Sequence, residues 1–293
     1  MHKKALFGIA VSLLLIAVFA VGGVSAEESE KVTYVVGIDG EYPPYSYIDE
    51  KGNPVGFDVE SIQWIAEQKG FEVEIAPTAW DGIIPALLTG KIDMVYSGMS
   101  ITPDREAKVT FSNPYWEVNQ GVVGKAGTTA TLDDFYAGKL VIGVQRSCSA
   151  DQWMQDEFGQ EKYDQMVKDG KIKLFDSFPQ SMVALQSNLV ECVIFDDVNI
   201  EDYIRGKSAY QMIGVIETGE VYAVAMRNED TELHALINEG IEELMASEKW
   251  DELIKKYIAV EGDAAEEPAS PGFGIFAALA GLGAVGAVLL RRE

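Results

Sequence analysis

Histidine and cysteine are scarce in this chain, which has only two of each among its 293 residues. His2 lies ahead of the first apolar run, and His234 lies in a stretch with helical spacing. With so few of these side chains, the sequence cannot assemble a histidine and cysteine metal site or a serine–histidine relay. Metallohydrolase and serine-hydrolase functions are therefore excluded.

The two cysteines, Cys148 and Cys192, are not expected to form a disulfide. One follows its predicted strand and the other begins a neighbouring parallel strand, which separates them along the strand axis by about six residues, or roughly 20 Å. A disulfide requires Cα atoms within about 7 Å of each other. We therefore predict two free thiols, even though an oxidising compartment would permit a bond.

Basic residues are also in short supply, with 23 Lys and Arg against 47 Asp and Glu and a formal net charge of −24 at pH 7. A surface of this sign repels the phosphate backbone of nucleic acids. Because the acids are scattered among predicted helices and do not form one block, we interpret them as favouring solubility. Nucleic acid is excluded as a partner.

The amino terminus has the pattern of a secretory signal peptide. Lys3 and Lys4 precede an apolar run from Ala5 to Val24, and small residues close it at Ala26, ahead of two glutamates. A charged start, an apolar middle and a small-residue exit are typical of a segment that is removed on secretion. We predict that residues 1–26 are cleaved off. A retained signal anchor is the alternative, because the run is long.

The carboxyl terminus carries a second apolar run. Residues 272–290 are long enough to cross a membrane as a helix, and the Arg291-Arg292 pair would stay on the cytoplasmic side. Residues 260–270 are acidic and rich in small residues, as in a solvated linker. The tail, residues 271–293, begins Pro271-Gly272-Phe273-Gly274 and resembles an archaeal PGF-type sorting signal, in which the apolar tail is removed and a lipid attached. That signal, or an ordinary transmembrane anchor as the alternative, predicts a body tethered to the outer face of the cell membrane.

Between the two ends, short β-branched runs alternate with amphipathic stretches, and this pattern occurs twice. The first unit has predicted helices at 57–68, capped by Asp58, and at 83–88, and predicted strands at 32–38, 72–76 and 92–97. The second unit has predicted strands at 140–145, 171–175 and 191–195 and helices at 150–158 and 179–187. Strands and helices that take turns indicate an α/β fold with parallel strands.

Extended stretches at 119–123 and 221–226 flank the second unit. Two further amphipathic helices, at 232–245 and 248–258, have no strand partner of their own. We expect these helices to pack back on the first unit, which makes the chain leave that unit and return to it.

This path predicts two lobes. Lobe one would comprise residues 27–118 plus 221–259, and lobe two residues 119–220. The chain would cross between them near Asn119 and again near Thr218-Gly219, and two adjacent crossovers make a hinge that bends without unravelling either sheet. Two consecutive, independent domains are the alternative.

Two loops at the carboxyl ends of lobe-one strands have residues suited to a ligand. The first, Asp39 to Tyr47, combines an acid, a glycine turn and prolines with aromatic rings, which bury apolar ligand surface at low entropic cost. The second, Ser97 to Arg105, offers hydroxyls, an unhindered glycine and a guanidinium whose fork matches a carboxylate. Ligands of open α/β sheets bind at this edge. Local packing of the rings, and a helix cap or surface ion pair for the arginine, are the alternatives.

Several spaced blocks of the body are similar to those of a known family. They are the proline-aromatic loop, Gly56-Phe57-Asp58-Val59-Glu60, the segment Trp80 to Leu87 with Gly90-Lys91-Ile92-Asp93, the stretch from Ser97 to Arg105, and Phe111-Ser112-Asn113-Pro114-Tyr115. In this order they resemble the family 3 extracellular solute-binding proteins, the polar amino-acid branch that feeds ABC importers, from about Val32 to Ile258. The resemblance implies a two-lobed, periplasmic-binding-protein-like clamp of type II with two hinge crossovers.

The resemblance also implies how lobe one would hold the main-chain groups of an amino acid. Arg105, the Ser100 hydroxyl and the backbone N–H groups around Gly98 and Ser100 would bind the α-carboxylate. Ser97 matches a position whose oxygen receives the α-ammonium group.

Three further lobe-one residues match positions that contact the ligand side chain in that family. Tyr42 and Trp80 correspond to the two aromatic residues that sandwich it, and Asp39 to an acid that often touches a polar or basic side chain. The resemblance therefore implies a polar or basic L-amino acid as ligand.

Lobe two should add an acid for the ammonium group, because a buried ammonium needs a carboxylate partner. The strand ending at Asp196 matches the strand that ends in such an acid in that family, with Asp197 as the nearby alternative. The family usually has a glycine and two small hydroxyl residues where this chain has Ser147, Cys148 and Ser149. Ser149 keeps a hydroxyl for the ligand, whereas Ser147 adds a Cβ where the backbone approaches it. Cys148 is expected to be inert lining, with a thiol acidified by the helix start as the alternative.

These residues predict an extracytoplasmic binding protein that captures an amino acid on lobe one, closes lobe two over it and presents both lobes to an ABC permease. We expect no cofactor, no metal, no enzymatic activity and a monomer. One alternative is a dehydratase-type enzyme, with Asp39, Glu41 and Asp196 as cleft acids. A sensor ectodomain is another, and the short sequence after the apolar tail argues against a cytoplasmic output module.

Overall fold

The computed structural model describes residues 31–258. The predicted signal peptide, the acidic linker at 260–270 and the carboxy-terminal tail lie outside the described residues. Among residues 31–258, every helix is too short or too polar to cross a membrane.

The described chain alternates short strands and helices along its whole length. The strands are β1 (Thr33–Ile38), β2 (Glu41–Tyr42), β3 (Ser46–Ile48), β4 (Pro54–Val55), β5 (Glu72–Pro77), β6 (Met94–Val95), β7 (Thr110–Phe111), β8 (Trp116–Lys125), β9 (Ile142–Gln145), β10 (Ile172–Phe175), β11 (Cys192–Asp196), β12 (Tyr210–Tyr222) and β13 (Ala225–Met226). The helices are α1 (Phe57–Lys69), α2 (Trp80–Leu88), α3 (Pro103–Glu106), α4 (Leu132–Tyr136), α5 (Ser149–Phe158), α6 (Gln160–Lys168), α7 (Phe178–Gln186), α8 (Asp197–Ile204), α9 (Thr231–Met245) and α10 (Glu248–Leu253), and a π-helical turn at Ile254–Ile258 follows α10.

Two five-stranded sheets form the centres of two lobes, which confirms the predicted two-lobed α/β fold. The first sheet has the order β5-β1-β6-β13-β7, and the second has the order β10-β9-β11-β8-β12. The strands β5, β1 and β6 are parallel, as are β10, β9 and β11. Both sheets are nevertheless mixed, because β13, β8 and β12 pair antiparallel with their neighbours. The strands of the two predicted strand–helix units are parallel as expected, and the antiparallel strands are those at and beside the crossovers.

The long strands β8 and β12 lie where the chain passes between the sheets. They pair antiparallel from Tyr210 opposite Lys125 to Tyr222 opposite Trp116, with an irregularity between Ile216 and Glu220. Gly219 lies in this irregularity in the left-handed region, with φ 62, and its N–H donates to the Asn119 side-chain oxygen at 3.2 Å. The two segments named as crossovers in the sequence therefore contact each other.

The last two helices pack against α1 of the first lobe. Gly240 of α9 lies so close to Ile65 that a Cβ there would come within 2.4 Å of that side chain. The ring of Trp250 in α10 meets Phe57 edge-on at 5.0 Å between centroids. These contacts return the chain end to the sheet that it left before β8.

Asp58 does not cap α1, contrary to the prediction. The helix begins at Phe57 after Gly56, which has φ 130 and touches the Tyr45 carbonyl so closely that a side chain would not fit. Asp58 is fully buried and points at the loop after β6. An acid near the start of an amphipathic run was interpreted as a cap, whereas its carboxylate here bonds to a distant part of the chain.

Candidate functional site

A cleft between the lobes collects most of the predicted site residues. Its cavity has about 250 Å³ of space, including its opening to solvent, and it is lined by Asp39, Tyr42, Trp80, Gly98, Arg105, Gln145, Cys148, Ser149, Phe195 and Asp196. Seven of the nine predicted ligand-binding residues are among these. The other two, Ser97 and Ser100, lie behind them in the loop after β6.

Arg105 lies in the short helix α3 and is only 2% exposed. Pro103 begins this helix, and the Thr102 hydroxyl caps it by accepting from the Arg105 N–H. The guanidinium donates to the Ser100 carbonyl at 2.8 Å and to the Ser147 carbonyl of the other lobe at 3.1 Å. Burial lowers the pKa of Arg105 from its usual value, yet within the described residues it forms no salt bridge. A buried guanidinium with spare N–H groups is a strong receptor for a carboxylate.

The loop after β6 is held in place by its own lobe. The Gly98 N–H donates to the Asp58 carboxylate at 2.6 Å, and a Cβ on Gly98, which has φ 52, would come within 2.4 Å of the Tyr42 ring. The Ser97 hydroxyl accepts from the Asp39 N–H at 2.9 Å and lies 2.7 Å from the Ser46 hydroxyl.

Two polar groups of this loop have partners within lobe one. The Gly98 N–H, expected to help bind a carboxylate, is directed at Asp58, and the Ser97 hydroxyl is used within the lobe. The Ser100 hydroxyl is 1% exposed and has no hydrogen-bond partner among the described residues, so it keeps its capacity to bind a ligand oxygen.

Asp39 follows β1 and contacts the opposite lobe. Its carboxylate accepts from the Gln145 side-chain amide at 3.0 Å and from the Glu41 N–H at 2.9 Å. Burial raises the pKa of Asp39 above its usual value. The acid faces the cavity and is suited to a cationic or amide group there.

Tyr42 also bridges the lobes. Its hydroxyl donates to the Asp196 carboxylate and lies 2.6 Å from the Tyr222 hydroxyl, and its ring stacks on Tyr45 with centroids 5.4 Å apart. Asp196 ends β11 and is 5% exposed. Burial, and secondly the nearby Glu220, raise the pKa of Asp196 to about 7.

The amide of Gln120, a residue of β8, connects the acids at the hinge. Its nitrogen lies 2.6 Å from Asp196, 3.0 Å from the Glu220 carboxylate and 3.2 Å from the Ser149 hydroxyl. Because β11 and β8 pair with Asp196 opposite Gln120, the sheet register itself brings these side chains together. Two acids thus share one neutral donor, an environment that attracts a cation.

The turn after β9 forms the lobe-two edge of the cavity. Ser147 adopts φ 61, in the region that glycine enters most easily, and its carbonyl accepts from the Trp80 indole N–H at 3.1 Å. The Arg105 guanidinium lies 5.4 Å from the centre of the Trp80 ring. The position at which the resemblance implies a glycine is therefore one where the backbone conformation favours glycine.

Both cysteines are buried and free. Cys148 lines the cavity, and burial raises its thiol pKa well above the usual value, which supports inert lining and not an acidified thiol. Cys192 lies opposite Ile142 in β9, six positions before Cys148 along the chain, so the two thiols are at different heights of the sheet. Residues 31–258 contain no group of three or more His, Cys, Asp and Glu side chains arranged to hold a metal ion.

Sequence reasoning missed Gln120, Gln145, Glu220 and Tyr222. Gln145 was detectable, because it ends β9 just as Asp39 follows β1 at the facing sheet edge. The other three lie in the crossing strands β8 and β12, where an extended polar run gives no signal of which residues face a cleft.

Comparison with known proteins agrees with this geometry. Residues 34–260 match the family of bacterial extracellular solute-binding proteins, family 3. The chain therefore belongs to this family. It is 28% identical over 270 residues to a protein of Neisseria gonorrhoeae named a probable histidine-binding protein, covering 89% of this chain and 98% of that one.

Solved structures give the same result. An ancestral arginine-binding protein bound to arginine superposes with a TM-score of 0.70 at 33% identity, covering 78% of this chain and 99% of that chain. An ancestral amino acid-binding protein described as a precursor of cyclohexadienyl dehydratase has a TM-score of 0.67 at 29% identity, covering 78% and 95%.

Proposed function

We propose that this protein is the extracytoplasmic substrate-binding component of an ABC amino-acid importer and that its ligand is a polar or basic L-amino acid. The observation that carries the proposal is the pair of buried charges facing one cavity from opposite lobes, Arg105 and Asp196. An α-amino acid offers a carboxylate to the first and an ammonium group to the second.

The remaining predicted residues have roles that follow from their positions. The Arg105 guanidinium and the unpartnered Ser100 hydroxyl bind the α-carboxylate. Asp196, supported by Gln120, binds the ammonium group, and Ser149 assists from the start of α5. A zwitterion satisfies both buried charges at once, which offsets their desolvation.

The balance of charge favours a cationic side chain. Asp39, Asp196 and Glu220 lie around the cavity and the hinge beside it, whereas Arg105 is the one guanidinium or ammonium group among the residues that line the cavity. Asp39 lines the same cavity as the aromatic residues Tyr42 and Trp80. A flat guanidinium suits such a site, because it stacks on aromatic rings and pairs with a carboxylate. The named specificity of the arginine-binding neighbour supports L-arginine as the first ligand to test.

Closure of the lobes couples binding to transport. Ligand binds to lobe one, and the turn at Ser147 and Asp196 of lobe two then close over it by bending of β8 and β12, with lobe boundaries at residues 118/119 and 220/221. The closed pair of lobes is what a membrane permease recognises. Secretion by residues 1–26 and tethering through residues 271–293 keep the monomeric body at the outer face of the membrane.

The proposal assigns no chemistry to the cleft. A dehydratase is the second candidate, because one neighbour is described as the precursor of such an enzyme and the cleft contains buried acids. Incubating the protein with its amino acid and recovering the ligand intact by mass spectrometry supports the binding protein, whereas conversion to a product supports the enzyme.

A thermal-shift screen of the twenty L-amino acids tests the proposed function. We expect the largest rise in the midpoint of unfolding with L-arginine or another basic or amide-bearing amino acid, since binding to the folded state alone stabilises it. A non-zwitterionic solute that stabilises the protein when no amino acid does would contradict the roles of Arg105 and Asp196.

A further inference from the structure

Ser147 is one of two non-glycine residues among residues 31–258 with a positive φ. It lies at the edge of the ligand cavity. Its φ of 61 is a conformation that side chains disfavour and glycine adopts freely. A residue of this kind persists only where its surroundings hold it.

The conformation of Ser147 determines where its carbonyl points. That oxygen accepts from the Arg105 guanidinium and from the Trp80 indole, both at 3.1 Å and both in the opposite lobe. Rotation of this one peptide group would remove two of the bonds that join the lobes. Arg105 would then also lose an acceptor that fixes the orientation of its guanidinium group.

Asp151 holds the other side of the same residue. Its carboxylate accepts from the Ser147 N–H at 2.8 Å, and its second oxygen accepts from the Tyr163 hydroxyl. Asp151 lies in the first turn of α5 and is 4% exposed, and Tyr163 lies in α6, so both belong to lobe two. Neither residue lines the ligand cavity.

We propose that Asp151, braced by Tyr163, is a positioning residue that keeps the Ser147 peptide in its left-handed conformation and so directs the Ser147 carbonyl at Arg105 and Trp80 when the lobes close. This inference rests on the proposed function, since it concerns affinity for the same ligand. The carboxylate matters at this position because serine, unlike glycine, adopts a positive φ against a penalty from its Cβ.

The test uses the full chain and two measurements, one of which needs no ligand. The first is exchange of the Ser147 amide proton by NMR, and the second is the Kd for L-arginine by calorimetry. The variants are Asp151→Ala, Tyr163→Phe, Ser147→Gly and the double variant D151A/S147G. The control is Asp156→Ala, an exposed acid further along the same helix.

We expect Asp151→Ala to accelerate exchange of the Ser147 amide and to weaken L-arginine binding about tenfold, as expected for loss of one hydrogen bond to a charged group. Tyr163→Phe should produce smaller changes in amide exchange and in affinity in the same direction. D156A should change neither. Adding Ser147→Gly to D151A should restore affinity to within about threefold of the S147G variant, since glycine adopts a positive φ without the penalty that a Cβ adds.

A merely structural role for Asp151 predicts weaker binding that S147G does not rescue, and this result would overturn the proposal. Unchanged exchange of the Ser147 amide in D151A would overturn it as well. If wild-type protein binds none of the twenty amino acids, the proposed function fails, and the exchange measurement still decides whether Asp151 holds Ser147.

Discussion

The two sides of the cleft are built differently. Lobe one holds its candidate ligand groups with bonds inside its own loops: Arg105 donates to the Ser100 carbonyl, and Gly98 is fixed by Asp58. On lobe two, Asp196 is held by Gln120 of a crossing strand and by Tyr42 from the opposite lobe. The backbone of the first half is therefore fixed within its own lobe, although Arg105 and Trp80 also donate to the Ser147 carbonyl, whereas the second half depends on the hinge and on closure.

This difference indicates an order of events. A loop whose backbone is fixed within its own lobe can bind ligand while the clamp is open, because that backbone needs no rearrangement. The other half adds its contacts when the lobes meet, which shifts the population toward the closed form. Changes in lobe one should therefore abolish capture, and changes in lobe two should weaken retention.

The largest expected effect is that of Arg105→Lys. Lysine keeps the charge but loses the planar fork, and the buried Ser100 carbonyl loses a donor. We expect L-arginine affinity to fall at least about a hundredfold, consistent with the cost of disrupting a buried, hydrogen-bonded charge. Calorimetry measures it, with Arg146→Lys as control, since Arg146 is exposed. Equal affinities of the two variants would remove the carboxylate role from lobe one.

Substituting the two neighbouring acids of lobe two one at a time distinguishes which of them binds the ammonium group. Asp196→Asn should weaken binding about ten- to hundredfold, because the ammonium group loses its charged partner. Asp197→Asn should change it less than threefold, since the Asp197 carboxylate accepts from the Asn119 and Val198 backbone N–H groups in and around the hinge and does not line the cavity. Dissociation rates by stopped flow should carry most of the D196N effect. A reversed order of the two variants would move the ammonium site to Asp197.

Affinity should depend on pH through Asp196. Its pKa in the ligand-free protein is raised to about 7, chiefly by burial, and binding of an ammonium group requires the ionised carboxylate. Affinity is therefore full above pH 7 and falls as the pH drops through 7, by up to about tenfold per unit. Calorimetry near pH 6 in buffers of different ionisation enthalpy should detect proton release on binding. A pH slope unchanged in D196N would assign the effect to another group.

The last prediction is measured as the free energy of unfolding and not as affinity, and it concerns the buried acid that supports lobe one. Burial raises the pKa of Asp58 from 3.8 to about 8, so the folded state holds a proton that the unfolded state releases at lower pH. The free energy of unfolding therefore decreases as the pH rises from about 4 to about 8, with a slope of up to about 1.4 kcal/mol per unit. Asp58→Asn should flatten this slope between pH 7 and 8, above the range of Asp196. Urea unfolding measures it, and Asp81→Asn, at the equivalent position of α2 but exposed, should leave it unchanged.

The predictability of the site follows the same division. The loops after β1 and β6 were found because they follow buried strands whose period is clear in the sequence, and the polar residues at their ends meet at one sheet edge. The second sheet was harder. Gln120 and Glu220 lie in crossing strands and meet only through the antiparallel register of β8 with β12, which no local pattern specifies.

Individual errors have similar physical causes. Asp58 satisfies the local rule for a helix cap, yet its carboxylate is more stable against the Gly98 N–H and the Tyr115 hydroxyl. Three helices of five residues or more were not predicted, α4, α6 and α8, and each of them buries only one or two residues. By contrast, Arg105 and Asp196 were predicted through the resemblance to the family, and both line the cavity.

The pairing of β8 with β12 also determines how far each lobe-two residue moves when the lobes open. Adjacent strands lie about 4.8 Å apart, and Asp196 ends the strand next to β8, whereas the turn at Ser147 follows the strand beyond it. For rotation about the crossing strands, the lever arm of Ser147 is about twice that of Asp196. The carbonyl of Ser147 therefore separates first from Trp80 and Arg105, and the acid beside the hinge separates last.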